Sequence, residues 1–598
     1  MKAQIPKVIL GLILISSSLL MIGSSFNEAA TMDELAHIPS GYGYAKYLDY
    51  RLNPEHPPII KLLAATPLLF MDLDFPTEST YWQNETNAQW DMGRLFLYES
   101  GNDADAIIFW SRLFPILLAL GLTFLIYLWS KEIMGQWWAL LPTAATAFTP
   151  NILAHGHYVT TDVGAAFGII LSLYFFTRYI VSPTKKNLIY AGITFGIAQL
   201  MKFSSAILVG HFIFLILIYL FIDILKNKGR SLSSISKKFF SGFGELILIF
   251  MIGAIVIYPA YLLTTAGYPP EKQLADTSYI LGDLEDGPCG PVDCLARLTL
   301  WGADKPLIRP LSQYALGLLM VIQRSSGGNT SYFMGQVYNL GNPTYFPTVY
   351  ILKEPIPLLI MIIYALYYGI YSGIKGIKKR KTRFLDYLKT NTYEVSALLF
   401  ILIYVAYSVS SPLNIGVRHL IPIIPLIYIL TFRGIKTCTQ ESFYNKNIKI
   451  ALISFLMIWF VAGSLLIYPN YLPYYNEIVG IDNGWQYATD SNYDWGQDMK
   501  KLEPFLEREG IDKIALDFFG ASSPEYYIGD KFVSWHSAKG NPKLENIDWL
   551  AVSINHIQNS VNPTAPGYTR PPQDSYSWLE NPHSPYAIVG KTIFIYKL

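Results

Sequence analysis

Eleven stretches of this 598-residue chain carry few or no charged side chains over about 15 residues or more, and nothing else narrows the fold as much. They run near 8–27, 113–130, 136–154, 163–181, 187–201, 203–225, 246–265, 355–374, 395–411, 419–434 and 450–468. In lipid each backbone amide must find its partner inside the segment, which makes such stretches helices. About 20 helical residues cross the hydrocarbon core of a bilayer. The sequence therefore predicts a mainly α, polytopic membrane protein with about eleven transmembrane helices. Charged residues make up 15% of the chain, against roughly 25% in a soluble domain, which agrees with lipid as the main solvent. A net charge of +1 leaves no overall attraction to nucleic acid.

The first stretch follows Lys2 and Lys7 in the manner of a signal peptide, but Val8 to Asn27 is 20 residues without a charge. It is read as a retained anchor, with cleavage near Ala30 as the alternative. Segments 130–136, 182–186, 226–238, 375–383 and 433–449 are short and basic, so the positive-inside rule assigns all five to the cytoplasm. Eleven crossings then put the N-terminus inside and the C-terminus outside, in a multi-pass protein of the cell membrane. The long polar segments 28–106, 266–350 and 469–598 all fall outside. The expected division is a transmembrane body, 1–468, and an extracytoplasmic domain, 469–598.

In the first outer segment Leu35, Ile38, Tyr42 and Ala45, then Ile59, Leu62 and Leu63, recur at helical spacing, as in helices lying in the interface. The C-terminal region has strand-like runs at 513–519, 549–554 and 586–598 and a helix-like run from Trp495 to Glu509, which predicts a small α/β domain. Cys289 and Cys294 lie close together in the second outer segment and can form a disulfide in an oxidising compartment. Two sequons, at Asn84 and Asn329, fall outside by this topology.

Paired acids, Asp33 and Glu34, stand just beyond the first apolar stretch, where a carboxylate is costly unless it meets water or a cation. Capping of the following helix is the alternative reading. Asp162 in HGHYVTTDVG sits between the third and fourth stretches, either as a helix cap or as a second site acid converging with Asp33, His155 and His157. Glu55, His56 and Lys61 surround a proline pair on the same side, Lys202 interrupts the fifth and sixth stretches, and Arg418 and His419 open the tenth. Snorkelling to headgroups competes with function for Lys61 and Lys202. The planar guanidinium of Arg418 suits a phosphodiester. Outer acids, outer cations and a membrane body together point to transfer from a lipid-linked phosphate donor, an acid acting as base and a cation on the leaving phosphate.

These residues resemble the protein O-mannosyltransferase superfamily, GT-C membrane glycosyltransferases that use a polyprenyl-phosphate sugar, and the related aminoarabinose transferases of lipid A. Asp33-Glu34 looks like the family's first-loop acidic pair, and EHPPIIK like its His-Pro-Pro-x-x-Lys segment, with Lys61 at the lysine. GIAQLMKFSSA and GVRHLIPIIP resemble two further family segments, while LKEPIPLLI and DSNYDWGQDMKKL are similar to stretches of prokaryotic members with a C-terminal extension. The resemblance implies a GT-C fold and transfer of a sugar with inversion from a polyprenyl- or dolichyl-phosphate donor. Asp33 would then be the base, Glu34 its support and Asp162 a second acid, with His56, Lys61, Lys202 and Arg418 around the donor phosphate. The 268–350 segment is too short for the β-trefoil repeats of eukaryotic members, so the acceptor is left open among protein, lipid and glycan. Thr160 stands two residues before Asp162, so a D-x-D metal motif is lacking; no metal or other cofactor is expected to be required, a divalent cation being the alternative. A transporter or flippase for a lipid-linked sugar is the competing class. A transferase needs Asp33 and Asp162 within about 10 Å of each other.

Overall fold

The computed structural model describes residues 4–226, 232–282, 284, 288–377, 381–441 and 445–598. The basic segments at 226–238, 375–383 and 433–449 lie partly outside these residues. The expected apolar stretches lie largely in helix, yet among the described residues eight helices, not eleven, are long and apolar enough to cross a membrane. Three local causes account for the difference. The stretches near 113–130 and 136–154 lie in two helices that meet within Ala104–Phe148 at Gly135, where φ is 77° and only glycine is unstrained, the second stretch running on into Pro150–His155. Lys185–Met201 is short, at 17 residues. Ile424–Glu441 carries Arg433, Lys436 and Glu441 in its second half.

Before the second long helix, the chain forms Met32–Tyr42 and Ile59–Ala65 where interfacial helices are expected. Instead of spreading polar side chains over a membrane surface, Met32–Tyr42 is buried from Glu34 to Tyr42, packed among Ile59–Ala65, Gln89–Arg94 and Ala104–Phe148. Its polar groups consequently face other protein. The second outer segment holds helices Pro270–Leu281, Pro291–Gly302 and Arg309–Ser326, with Cys289 joined to Cys294 in the first turn of the middle one.

A hairpin of β1 (Ser331–Phe333) and β2 (Gln336–Tyr338) follows. The C-terminal region builds a five-stranded mixed sheet from β3 (Ile514–Asp517), β4 (Phe532–Ser534), β5 (Trp549–Ser553), β6 (Ala587–Val589) and β7 (Ile593–Lys597), in the order β4-β3-β5-β7-β6. β3 is parallel to β4 and β5, and β7 antiparallel to β5 and β6. Alternation along the strands serves two faces: Ile514, Leu516, Ile593 and Ile595 pack with Leu502, Phe505 and Leu506 of the helix Leu502–Glu509, while Ala515, Val552 and Phe594 pack with Ile554 and Ile557. That helix starts at Leu502, not at Trp495. Residues 489–497 before it form an irregular strap tied to the transmembrane body.

Candidate active site

Local structure treats the two neighbouring acids differently. Thr31 and Glu34 close a capping box at the start of Met32–Tyr42, with Thr31 N–H and Oγ1 donating to Glu34 Oε2 at 2.8 and 3.0 Å. Arg112 donates to the same carboxylate through Nε at 2.8 Å and Nη2 at 2.7 Å, and Val159 N–H adds a bond of 3.0 Å. The rest of the guanidinium serves the carbonyls of Ser25, Glu28 and Ala29. Burial alone would raise the Glu34 carboxyl, but the Arg112 charge and these hydrogen bonds outweigh it and hold it below the usual carboxylate range. Glu34 thereby fixes the start of the helix and the turn around Val159.

Asp33 faces a cavity of about 230 Å³ that is also lined by His56, Asp162, Lys202, Arg324 and Arg418. Its Oδ2 accepts from Arg418 Nη1 at 2.6 Å, and the same nitrogen reaches Asp162 Oδ2 at 3.2 Å. The two acids therefore share one nitrogen, well inside the separation a transferase allows. Lys202 Nζ donates to Asp162 Oδ1 at 2.6 Å. Asp162 opens the helix Asp162–Val181 but makes no cap bond; both its oxygens are spent on cations. Lys202, extended between Lys185–Met201 and the turn Phe203–Ala206, is paired with Asp162. Asp33 is the more accessible acid, its side chain 24% exposed against 1% for Asp162 and 0% for Glu34.

Arg418 sits in the short turn Val417–Leu420 with its guanidinium 4.2 Å over the ring of Trp495. Its Nε is buried and has no hydrogen-bond partner among the described residues. His56 lines the cavity, and burial holds its ring well below the usual histidine range. Lys61 does not line the cavity. Its buried Nζ donates to Tyr44 Oη at 3.0 Å, Asn53 O at 3.0 Å, Asn53 Oδ1 at 2.7 Å and His56 O at 2.8 Å, shaping the loop that presents His56. Burial pushes this ammonium well below the usual lysine range. Neither His155 nor His157 lines the cavity, contrary to the expected convergence with Asp33: His157 Nε2 pairs with Glu28 Oε2 at 2.8 Å, and His155 packs edge-on to Trp495.

Several contributors escape a reading of the sequence. Arg112 is a lone arginine just ahead of the second apolar stretch, and its position there is the only signal. Arg324 and Trp90 line the cavity from distant segments, and Trp495 and Asn492 reach Arg418 and its neighbour Val417 from the far end of the chain. Among the described residues no three His, Cys, Asp or Glu side chains are grouped to hold a metal ion.

Residues 94–258 match the family model described as dolichyl-phosphate-mannose-protein mannosyltransferase. No curated protein sequence matches the chain. Among solved structures, the S. cerevisiae protein O-mannosyltransferase Pmt1-Pmt2 complex bound to the sugar donor shares the fold at a TM-score of 0.53 and 11% identity, over 78% of this chain and 90% of that one. ArnT from Cupriavidus metallidurans bound to undecaprenyl phosphate aligns over 91% of this chain and 92% of its own, with a TM-score of 0.44 and 9% identity. For the archaeal oligosaccharyltransferase AglB from Archaeoglobus fulgidus, in complex with an inhibitory peptide and a dolichol-phosphate, the shares are 93% and 71%, the TM-score 0.45 and the identity 11%. Over residues 94–258 the chain is thus similar to the dolichyl-phosphate-mannose-protein mannosyltransferase family, and it shares the fold of the Pmt1-Pmt2 complex.

Proposed function

We propose that this enzyme transfers the sugar of a polyprenyl- or dolichyl-phosphate donor to an acceptor hydroxyl on the extracytoplasmic side, with inversion, Asp33 acting as base and Arg418 receiving the donor phosphate. The observation that carries the reading is the single Arg418 nitrogen shared by Asp33 and Asp162 at the cavity wall, with Nε left over. In one displacement the acceptor oxygen forms a bond to the anomeric carbon as the bond from that carbon to the phosphate oxygen breaks. The acceptor proton goes to Asp33, and the lipid phosphate leaves with its charge on Arg418, a pairing that a guanidinium makes with two parallel hydrogen bonds. Asp162, with both oxygens engaged, orients Arg418 and Lys202 instead of taking a proton. His56 and Lys202 flank the phosphate, and Lys61 lies behind them, holding the loop that carries His56.

Metal independence belongs to the same proposal, because Arg418 and Lys202 supply the positive charge at the leaving group. So do the eleven crossings, counted by treating the two halves around Gly135 and the helices Lys185–Met201 and Ile424–Glu441 as spans, with the basic segments inside. The acceptor class, whether protein, lipid or glycan, is the reading's open variable and is sought by incubation. Purified protein given labelled polyprenyl-phosphate mannose and membrane extract, with and without chelator, should label an acceptor in both conditions. Asp33→Asn should abolish that label, and equal transfer by wild type and variant removes Asp33 from the mechanism.

A further inference from the structure

The cavity wall has a backing drawn from the opposite end of the chain. Residues 489–497 thread between the segment that carries Asp33 and the turn that carries Arg418, and they bond to both. On one side Met32 N–H donates to Trp495 O at 3.2 Å and Ala29 N–H to Gln497 O at 3.0 Å. On the other, Val417 N–H donates to Asn492 Oδ1 at 2.8 Å and Ser491 Oγ to Ile415 O. Gly416 permits this approach, since a Cβ there would collide with Ser491 Oγ. Asn492 is itself held by Tyr345 Oη at 2.7 Å, and its carbonyl accepts from Lys353 Nζ. The fully buried Trp495 ring then lies beneath the Arg418 guanidinium, its centroid 4.2 Å from Cζ.

We propose that Trp495 is a positioning residue for the transfer reaction, holding the Arg418 guanidinium in the plane in which its free N–H groups meet the donor phosphate. The inference rests on the assignment of Arg418 to that phosphate. Arg418 makes its ion pairs through one nitrogen only, so hydrogen bonds alone leave the guanidinium free to rotate about that contact. A flat aromatic face removes the rotation, and it does so without using any N–H that a phosphate needs. Asn492 and Ser491 fix the backbone on either side of Gly416, so ring and turn move as one piece. Asp490, at the start of the strap, holds a left-handed backbone with φ of 56°, a conformation that asparagine and aspartate tolerate better than most residues.

The test uses the full-length protein in lipid nanodiscs, titrated with undecaprenyl phosphate as the probe, alongside kcat and KM for labelled polyprenyl-phosphate mannose. Trp495→Leu, which fills the space but removes the aromatic face, is expected to weaken lipid-phosphate binding and raise donor KM about tenfold or more. Trp495→Phe should restore both to within about threefold of wild type, and the thermal unfolding midpoints of the two variants should agree. Equal loss in Trp495→Leu and Trp495→Phe with a lowered midpoint would reduce Trp495 to packing and overturn the inference. So would wild-type binding by Trp495→Leu where Arg418→Gln binds poorly. Wild-type binding by Arg418→Gln itself would instead dismiss the phosphate assignment on which the inference stands.

Discussion

The helix Met32–Tyr42 begins with two carboxylates that each meet an arginine, and the two meetings differ in nearly every physical respect. Glu34 and Arg112 are both completely buried, joined through two nitrogens, and their remaining bonds go to backbone and to Thr31 Oγ1. Asp33 meets Arg418 through one nitrogen at the wall of a cavity, is partly exposed, and leaves Arg418 Nε without a partner. A filled, buried pair holds elements together and has nothing to give a substrate. A half-filled pair beside an opening has bonds in reserve, the condition for binding and catalysis. Adjacent residues of like charge are therefore sorted by the valence that folding leaves unused.

Four experiments break or sharpen that contrast. Arg112→Met strands Glu34 without its cation and should cost about 3–5 kcal/mol of stability, read by unfolding in detergent; a variant as stable as wild type would deny the anchor its role. Asp33→Asn should do the reverse, leaving the unfolding midpoint in place while transfer falls at least about 100-fold, roughly 2.7 kcal/mol of barrier. Lys61→Met removes a cation that lies behind the cavity, leaving the Asn53 and His56 carbonyls without their donor. It should cost about 1–3 kcal/mol of stability while donor KM stays within about threefold, and a KM effect without a stability effect would return Lys61 to the phosphate.

The fourth experiment concerns pH. Burial pushes the Asp494 carboxyl up to about 8, despite the N–H groups of Asn555 and Gly496 that bond to it. In an unfolded chain an aspartate ionises near about 4. Between these values the unfolded state has lost a proton that the folded state keeps, so stability falls as pH rises from about 4 to about 8. Asp494→Asn should flatten that part of the unfolding profile, and an unchanged slope would show that another group governs it.

Much of the body was legible because lipid imposes a simple rule, and the apolar stretches obey it. Asp33, Asp162, Lys202 and Arg418 announce themselves as charges where charge is expensive, and they do converge. The count of long spans falls below eleven where helices are short or charged, and where two helices meet end to end at the non-helical Gly135. β4 escaped because a three-residue edge strand has too little alternation to read. Arg112 and Trp495 were hidden for a different reason. An arginine beside an apolar stretch, or a tryptophan in a polar one, acquires its meaning only from a partner 78 or 77 positions away.

The threading of residues 489–497 sets a calendar for the enzyme. A chain still leaving the ribosome, complete through the helix Lys446–Leu466, already owns both acids and Arg418, yet the indole beneath the guanidinium and the amide that steadies Val417 do not exist. The cavity wall is finished only when synthesis has passed Gln497, so a chain stopped short of that point holds its tools and lacks its bench.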